Sequence, residues 1–302
     1  MALPSARTDP GVTPMPPKPR DEELDLFGLT HAGKVRKENQ DHFLISTLHK
    51  TIRVLSTSLP NPELLELPSQ RLASFSMVAD GVGGHAGGEE ASRAALEAIA
   101  EYVINTMYCF YTDDAGNEAV FLQSLQEAAV HCHDSVVARA KESGIKQGMA
   151  TTLTAAIAVW PFLYVLQVGD SRCYRLRQGK LEQLTRDQTV AQDLVDSGIL
   201  PRARAQWSPL AHVLSSSIGG TAQPIVTRME ISGDRSDIYL LCTDGLTKHV
   251  PDERIEERLR GLTSSEQACR ALLDDALEGG GTDNVTVVIL RALPRTGGAG
   301  SG

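Results

Sequence analysis

The chain has 302 residues, with 29 Lys and Arg against 38 Asp and Glu, so its formal net charge at pH 7 is −9. Apolar residues make up 41% and charged residues 22%, which is typical of a globular protein and excludes a largely disordered chain, a collagen-like chain and a small disulfide scaffold. The acidic balance argues against nucleic-acid binding, which usually requires a basic surface.

The two ends of the chain differ in composition from its middle. Residues 1–21 contain six prolines and almost no large apolar side chains, so a disordered tail is expected there. The Gly-rich residues 293–302 are expected to form a flexible tail, which leaves residues 22–292 as one folded domain. Within this domain, residues 56–70 carry three prolines and are predicted to form an inserted loop.

The apolar residues are spaced in two ways. Short apolar runs predict nine strands, at residues 25–30, 42–47, 74–79, 153–159, 163–168, 172–176, 225–231, 237–242 and 285–290. Longer amphipathic stretches predict five helices, at residues 89–107, 118–143, 189–197, 252–259 and 264–277. Because strands in the middle of the chain follow one another without a helix between them, an α+β fold with antiparallel sheets is favoured over a doubly wound parallel sheet.

Three features of the sequence concern the cellular location of the chain and the binding of zinc. The N-terminus has no apolar signal-peptide core and the five cysteines form no Cys-x-x-Cys pair, so reduced thiols and a cytoplasmic location are expected. The uncharged stretch 147–169 contains threonines and a central Pro161, which predict two buried strands joined by a turn and not a membrane span. His131-Cys132-His133 could suggest zinc, but adjacent helical residues point in different directions, so an ordinary helix is expected.

Acidic residues recur where the predicted strands begin or end. Asp80, Asp170 and Asp244 each follow an apolar run, and Asp283 comes just before the strand 285–290. If these strand ends meet at one rim of the fold, the carboxylates would repel one another unless they hold cations. Ligands that are all oxygen select hard ions such as Mg²⁺ or Mn²⁺ over zinc or copper.

Eight segments of the chain resemble, in order, the successive motifs of the metal-dependent Ser/Thr phosphatases of type 2C, the PPM family. The segments are RKENQD at 36–41, DGVGGHAGGEEAS at 80–92, GMATT at 148–152, VGDSR at 168–172, LTRD at 184–187, VLSSSIG at 213–219, CTDGL at 242–246 and TDNVTV at 282–287. They span nearly everything between the two tails. The glycines after Asp80 and the absence of a long charged extension resemble the bacterial branch of the family.

The resemblance implies a four-layer α-β-β-α sandwich, in which two central antiparallel sheets are flanked by helix pairs, with two Mn²⁺ or Mg²⁺ ions at one end. By the same resemblance, Asp80 would bridge the two ions and Gly81 would offer its carbonyl oxygen. Asp244 and Asp283 would hold the first ion, and Asp170 with Asp244 would hold a weaker third ion.

The resemblance also implies how substrate is bound. Arg36 would bind the substrate phosphate, and a segment at about 188–212 would form a flap beside the active site. Because a planar guanidinium can donate two parallel hydrogen bonds, Arg suits a phosphate better than Lys does. The residues expected to carry catalysis are Arg36, Asp80 and Asp244, and those expected next to the metal ligands are Gln40, Asp41 and Asn284.

The implied activity is the hydrolysis of phosphoserine and phosphothreonine in proteins by a metal-bridging water, which attacks phosphorus in line with the leaving oxygen. The implied partners are phosphorylated proteins, in particular Ser/Thr kinases and their substrates, and a monomer is expected. The alternative is a catalytically weak or silent relative that binds phosphoproteins as a regulator or adaptor. The four aspartates favour activity, because binding alone does not require them.

Three positions depart from the family pattern. Gln40 replaces the Glu of many members, so a charged contact to the metal centre becomes neutral. Lys248 stands where many relatives have Asp, and its ammonium would either partly replace the third ion or point to solvent. Val82 stands where eukaryotic members place a His, so the proton donor to the leaving group stays open between His85 and a metal-bound water.

Overall fold

The computed structural model describes residues 17–51, 70–82, 86–106, 115–144 and 148–293. A short 3-10 turn, Asp21–Glu23, comes first. The strands are β1 (Leu24–His31), β2 (Asp41–Lys50), β3 (Gln70–Val82), β4 (Ala150–Thr151), β5 (Leu153–Val159), β6 (Phe162–Val168), β7 (Arg172–Arg177), β8 (Lys180–Gln183), β9 (Ile225–Glu230), β10 (Ile238–Cys242) and β11 (Val285–Ala292). The helices are α1 (Ala86–Thr106), α2 (Ala115–Glu142), α3 (Val190–Asp196), α4 (Arg202–Ala205), α5 (Asp244–Thr247), α6 (Asp252–Arg260) and α7 (Ser265–Glu278).

The strands form two antiparallel sheets. The first sheet has the order β1-β11-β10-β7-β8, and the second has the order β2-β3-β5-β6-β9, with β4 paired to β3. The N-terminal strand β1 therefore lies beside the C-terminal strand β11, with Leu24 opposite Ala292 and His31 opposite Val285. This pairing closes the domain, because the first and last strands belong to one sheet.

Each sheet buries one face against a pair of helices and the other face against its partner sheet. On β3, Phe75, Met77 and Ala79 pack beneath α1 and α2, whereas Val78 packs between the sheets. This alternation follows the two-residue period of a strand that is buried on both faces. On the opposite side, α6 and α7 cover the first sheet through residues such as Leu272. The predicted four-layer α-β-β-α sandwich is therefore confirmed.

Most predicted elements agree with the structure within a few residues, including the two strands predicted within 147–169. β5 and β6 occupy that stretch, joined at Trp160 and Pro161. Within the described ranges, no helix is long and apolar enough to cross a bilayer. The elements that the sequence did not predict are short: the two residues of β4, the four residues of β8, and the single turns α4 and α5.

The ends of the described chain are packed into the domain. Pro19 is buried, and its carbonyl accepts a hydrogen bond of 2.5 Å from Arg71 on β3. The backbone N–H of Leu293 donates to the carbonyl of Glu23 at 2.7 Å. The folded chain therefore begins ahead of residue 22 and continues to residue 293, while most of the two predicted tails and of the loop 56–70 lies outside the described residues.

The cysteine and histidine cluster on α2 is part of the helix packing. The buried Cys132 thiol lies 3.5 Å from the carbonyl of Ala95, and Nδ1 of His133 accepts a hydrogen bond from the backbone N–H of Gly219 at 3.2 Å. The ring of His131 packs against that of Tyr102 in a tilted arrangement, with 5.6 Å between the ring centroids. The three side chains therefore point to different neighbours, as expected for an ordinary helix.

Candidate active site

Five aspartates from five different segments approach one another at one rim of the sandwich. They are Asp41 on β2, Asp80 on β3, Asp170 just after β6, Asp244 at the start of α5 and Asp283 just before β11. Burial raises the pKa of Asp80 well above its usual value, and the charges of the other four raise it further. The structure thus brings together the four strand-end aspartates of the sequence analysis, with Asp41 beside them.

Asp41 is the most enclosed of these carboxylates, with only 2% of its surface exposed. Its Oδ2 accepts hydrogen bonds from the hydroxyls of Thr243 at 2.7 Å and Thr286 at 2.8 Å. Burial nevertheless raises the pKa of Asp41 to about 7, because the two hydrogen bonds only partly offset desolvation and the charges of Asp244 and Asp283 add to it.

Two carboxylate oxygens at this rim are buried without a hydrogen-bond partner in the described part of the chain: Oδ1 of Asp41 and Oδ1 of Asp244. Burial also raises the pKa of Asp170 to about 8, with a further contribution from the charge of Asp244. Unpaired buried oxygens and carboxylates that resist ionisation are properties expected of side chains that bind a cation. The donor set is all oxygen and therefore fits Mg²⁺ or Mn²⁺.

The motif GMATT fixes the backbone that carries Asp80. The Thr151 hydroxyl donates to the carbonyl of Asp80 at 2.8 Å, and the Thr152 hydroxyl accepts from the Asp80 N–H at 3.0 Å. The next residue, Gly81, passes so close to the chain that a Cβ there would lie 2.2 Å from the carbonyl oxygen of Gly88. Only glycine fits at position 81, because the two backbones approach so closely there.

Asn284 connects the start of β11 to the loop that carries Arg36. Its amide nitrogen donates to the carbonyls of Ala32 at 3.0 Å and Glu38 at 2.8 Å, and its amide oxygen accepts from the N–H of Gln40 at 2.9 Å. The carbonyl of Gln40 in turn accepts from Gly81 N–H at 3.1 Å. Gln40 and Asn284 therefore shape the site through backbone contacts, one step removed from the carboxylates.

Arg36 makes a two-pronged ion pair with Asp283. Its Nε lies 2.9 Å from Oδ1 and its Nη2 lies 3.0 Å from Oδ2. Hydrogen bonding to Asp283 raises the pKa of Arg36, so the guanidinium stays charged. About 54% of its side chain is exposed, so the guanidinium stands at the open edge of the rim.

Lys248 points into the cluster and not to solvent. Its ammonium nitrogen lies 2.6 Å from Oδ2 of Asp244 and 2.7 Å from Oδ2 of Asp283. Burial disfavours the charged ammonium, but the two carboxylates outweigh burial and raise the pKa of Lys248. Among the described residues, no three His, Cys, Asp or Glu side chains are arranged as ligands of one metal ion, and Lys248 lies between two of the expected ligands.

A cavity of about 590 Å³ opens beside the carboxylates, between α5 and the segment that contains α3 and α4. Asp170, Asp244 and Lys248 line one wall, and Trp207 and Arg202 line the other. The predicted flap at 188–212 therefore borders the acidic rim. Its last residue, His212, places Nδ1 3.9 Å from Oδ2 of Asp244.

A hydrogen-bonded network of side chains, to which the sequence motifs assign no role, lies beside this cavity. Arg172 donates two hydrogen bonds to Asp187, at 2.8 and 2.7 Å, and a third to the hydroxyl of Tyr174, which itself donates to Asp252. The sequence does mark two members of this network, because Arg172 and Asp187 belong to the motifs VGDSR and LTRD. The candidate proton donor His85 lies outside the described residues.

A β-sandwich that gathers aspartates from several strand ends at one rim, with an arginine beside them, is the architecture expected of the type 2C phosphatases. The chain belongs to the protein phosphatase 2C family: the family model "Protein phosphatase 2C" matches residues 66–278.

Curated relatives of this chain include bacterial phosphatases. It is 38% identical over 214 residues to the serine/threonine protein phosphatase PstP of Mycobacterium tuberculosis, a match that covers 70% of this chain and 39% of that protein. It is 30% identical over 214 residues to the serine/threonine phosphatase Stp of Listeria monocytogenes, covering 71% of this chain and 82% of that protein. The chain thus spans well under half the length of the mycobacterial relative.

Solved structures agree with the fold along most of the chain. A crystal structure of M. tuberculosis PstP superimposes with a TM-score of 0.69 at 31% identity, covering 89% of this chain and 99% of that one. A second structure, of the PstP catalytic domain in complex with two manganese ions, has a TM-score of 0.67 at 30% identity and covers 89% and 98% of the two chains.

Proposed function

We propose that this chain is a metal-dependent protein Ser/Thr phosphatase, which hydrolyses phosphoserine and phosphothreonine in proteins. The observation that carries the proposal is the gathering of Asp80, Asp170, Asp244 and Asp283 at one rim with Arg36 beside them. The names of the mycobacterial and listerial relatives support the same activity.

The groups proposed to hold two Mn²⁺ or Mg²⁺ ions are the carboxylates of Asp80, Asp244 and Asp283 and the carbonyl of Gly81. Asp170 with Asp244 is the proposed place of a weaker third ion. The two manganese ions in the PstP catalytic domain and the all-oxygen donor set support this choice of metal. When bound, such cations offset the charge of a phosphate dianion and acidify water for attack on phosphorus.

Arg36 is proposed to bind and orient the substrate phosphate. Its guanidinium is charged, half exposed and already arranged to donate two parallel hydrogen bonds, which it gives to the Asp283 carboxylate. A phosphate presents oxygens of similar spacing, so the same two N–H groups can turn from the carboxylate to the substrate. Asp41 and Asn284 would act indirectly, by holding the backbone and the loop beside the metal ligands.

A silent adaptor is the less favoured alternative. Buried carboxylates that repel one another destabilise a fold unless cations occupy the site, and phosphopeptide binding alone does not require them. The proposed partners are phosphorylated proteins, and more specifically Ser/Thr kinases and the proteins that those kinases phosphorylate. The monomeric state and the cytoplasmic location stay predictions of the sequence.

The test is phosphothreonine-peptide hydrolysis with saturating Mn²⁺. Asp80→Asn and Asp244→Asn should each lower kcat/KM by about 100-fold or more, since each removes charge from the site while leaving its shape. The matched control is Asp274→Asn, an exposed aspartate on α7, which should keep native kinetics. Near-native turnover of Asp80→Asn would overturn the assignment. A wild-type protein that binds the peptide but does not hydrolyse it with Mn²⁺ would favour the adaptor.

A further inference from the structure

Lys248 occupies a distinctive place in the acidic cluster. It follows the single turn α5, whose first residue is Asp244, and its backbone N–H donates to the Asp244 carbonyl at 2.8 Å. Residues four apart lie on one face of a helical turn, so the ammonium of Lys248 is directed back over the Asp244 carboxylate. The start of β11 brings Asp283 to the other side of the same ammonium, at 2.7 Å.

The oxygens of Asp283 are fully engaged by protein groups. Oδ1 accepts from Nε of Arg36 at 2.9 Å and from the backbone N–H of Asn284 at 3.0 Å. Oδ2 accepts from Nη2 of Arg36 at 3.0 Å and from Lys248 at 2.7 Å. Lys248 also forms an ion pair with Oδ2 of Asp244. The other oxygen of this carboxylate, Oδ1, has no hydrogen-bond partner in the described part of the chain.

A divalent ion that binds Oδ2 of Asp244 or Oδ2 of Asp283 therefore competes with Lys248, and on Asp283 it competes with Arg36 as well. Oδ1 of Asp244 is the carboxylate oxygen through which the ion can first bind, because it has no partner in the described part of the chain. We propose that Lys248 is a tethered cation that holds the Asp244–Asp283 pair in the metal-free protein and that an incoming divalent ion displaces it. Lys248 thereby raises the metal concentration at which this pair is filled. The inference rests on the proposed function, because it takes these aspartates as metal ligands.

The structure offers the displaced side chain a place to go. Lys248 lines the cavity of about 590 Å³, which is also bordered by the acidic side chains of Asp187, Asp252 and Glu253. Its own side chain is 21% exposed, and a flexible four-carbon stem can carry the ammonium from the carboxylates into this space without moving the backbone. Among the described residues, the ion pairs of Lys248 are with Asp244 and Asp283 and not with Asp80, which belongs to the other proposed ion site.

The test measures metal binding itself, by calorimetric titration of the metal-free full chain with Mn²⁺. Lys248→Met keeps the length of the side chain and removes its charge. We expect two binding steps of unequal affinity in the wild type, and in Lys248→Met we expect the weaker step to tighten by about tenfold or more. Lys180→Met, at the exposed first residue of β8, makes the same change in net charge and should titrate like the wild type.

Thermal unfolding supplies a second readout that a permanent ion pair would not produce. In EDTA, Lys248→Met should melt several degrees below the wild type, because Asp244 and Asp283 lose their shared counter-charge. With saturating Mn²⁺ this difference should vanish or reverse, since the metal then supplies the charge in both proteins. Lys248→Arg keeps the positive charge, so in the calorimetric titration it should bind the second Mn²⁺ ion as weakly as the wild type does.

The outcomes separate the two proposals. If wild type and Lys248→Met bind Mn²⁺ with equal affinity, or if the variant loses the same number of degrees with and without metal, Lys248 is a permanent ion-pair partner and the inference is wrong. The same holds if Lys248→Met binds Mn²⁺ more weakly. If neither protein binds Mn²⁺, the proposed metal-dependent function itself is wrong.

Discussion

Asp41 and Asp80 lie directly opposite each other on the antiparallel strands β2 and β3. Like charges in directly opposite positions destabilise a pair of strands, so this arrangement opposes folding whenever both carboxylates are ionised. Asp41 is nevertheless held in place by two threonine hydroxyls. The fold therefore maintains a repulsive pair, which becomes favourable only when cations lie nearby.

The repulsion predicts how the stability of the metal-free protein depends on pH. The pKa of Asp41 is raised to about 7 and that of Asp170 to about 8 by burial. Between pH 4 and 8 the folded state therefore binds more protons than the unfolded state, and the free energy of unfolding should fall as pH rises, by on the order of several kcal/mol. Urea unfolding in EDTA from pH 5 to 8.5 measures this decline, and saturating Mn²⁺ should abolish it.

A pair of variants isolates the effect from other titrating groups. Burial lowers the pKa of His42, for example, and this contributes a rise in stability toward higher pH. Asp41→Asn should make the decline in EDTA shallower, whereas Asp274→Asn on the exposed face of α7 should leave it unchanged. An equal slope for wild type and Asp41→Asn would show that the Asp41 carboxyl titrates normally.

The second prediction concerns Arg36. At saturating Mn²⁺, Arg36→Ala should raise KM for a phosphothreonine peptide, and the inhibition constant of inorganic phosphate, by about tenfold or more, because a charged two-pronged contact is lost. Arg36→Lys should recover only part of the loss, since a single ammonium cannot reproduce that contact. If both constants stay unchanged, Arg36 serves only as the ion-pair partner of Asp283.

The third prediction concerns the wall of the cavity that faces the carboxylates. Trp207 lines this cavity and is 79% exposed, so it contributes little to the core. Because Trp207 lines the same cavity as Asp170 and Asp244, we expect a phosphopeptide bound at the rim to contact it, whereas a small aryl phosphate need not. Trp207→Ala should therefore lower kcat/KM for the peptide about three- to tenfold, through lost aromatic contact, and leave that for the aryl phosphate within about twofold.

The same segment offers a matched control for this measurement. Ile199 is also a large exposed apolar residue, at 71%, but it is absent from the cavity wall. Ile199→Ala should leave both substrates unaffected. Equal losses for peptide and aryl phosphate in Trp207→Ala would mean that the residue supports the segment and does not contact the peptide.

Much of the fold and part of the site followed from local features of the sequence. Strands that are buried on both faces appear as short apolar runs, so β5, β6 and β10 were predicted within one or two residues of their bounds. An aspartate directly after such a run lies at a sheet rim whatever the topology, which is why Asp170 and Asp244 were found. In contrast, β8 has a single apolar residue and could not be recognised by its pattern.

The partners of the charged side chains could not be predicted. The family resemblance implies only a phosphate contact for Arg36, and the structure adds an ion pair with Asp283, 247 residues away. For Lys248 the sequence allows either a place near the third ion or solvent exposure, whereas in the structure its ammonium contacts both Asp244 and Asp283. Which carboxylate a flexible cation reaches depends on how β11 lies beside the loop of Arg36, and a single sequence does not contain that information.

The last prediction tests the helix layer on the far side of the first sheet. Asp275 on α7 accepts four hydrogen bonds, two from Arg254 and two from Arg258 on α6, at 2.6–3.1 Å. The Arg258 and Arg254 guanidinium groups lower the pKa of Asp275 to about 2. The stabilisation is therefore present above pH 4 and is lost as pH falls from about 4 to about 2, because the unfolded state takes up the proton first.

Since part of this network is exposed to solvent, its contribution to the free energy of unfolding should be on the order of 1 kcal/mol. Asp275→Asn should lower the urea midpoint at pH 7 and flatten the loss of stability between pH 4 and 2.5. The neighbouring Asp274→Asn, which removes an exposed carboxylate from the same helix, controls for the change in charge. If Asp275→Asn and the wild type lose stability equally over this range, the α6–α7 ion pairs do not contribute to the acid stability of the fold.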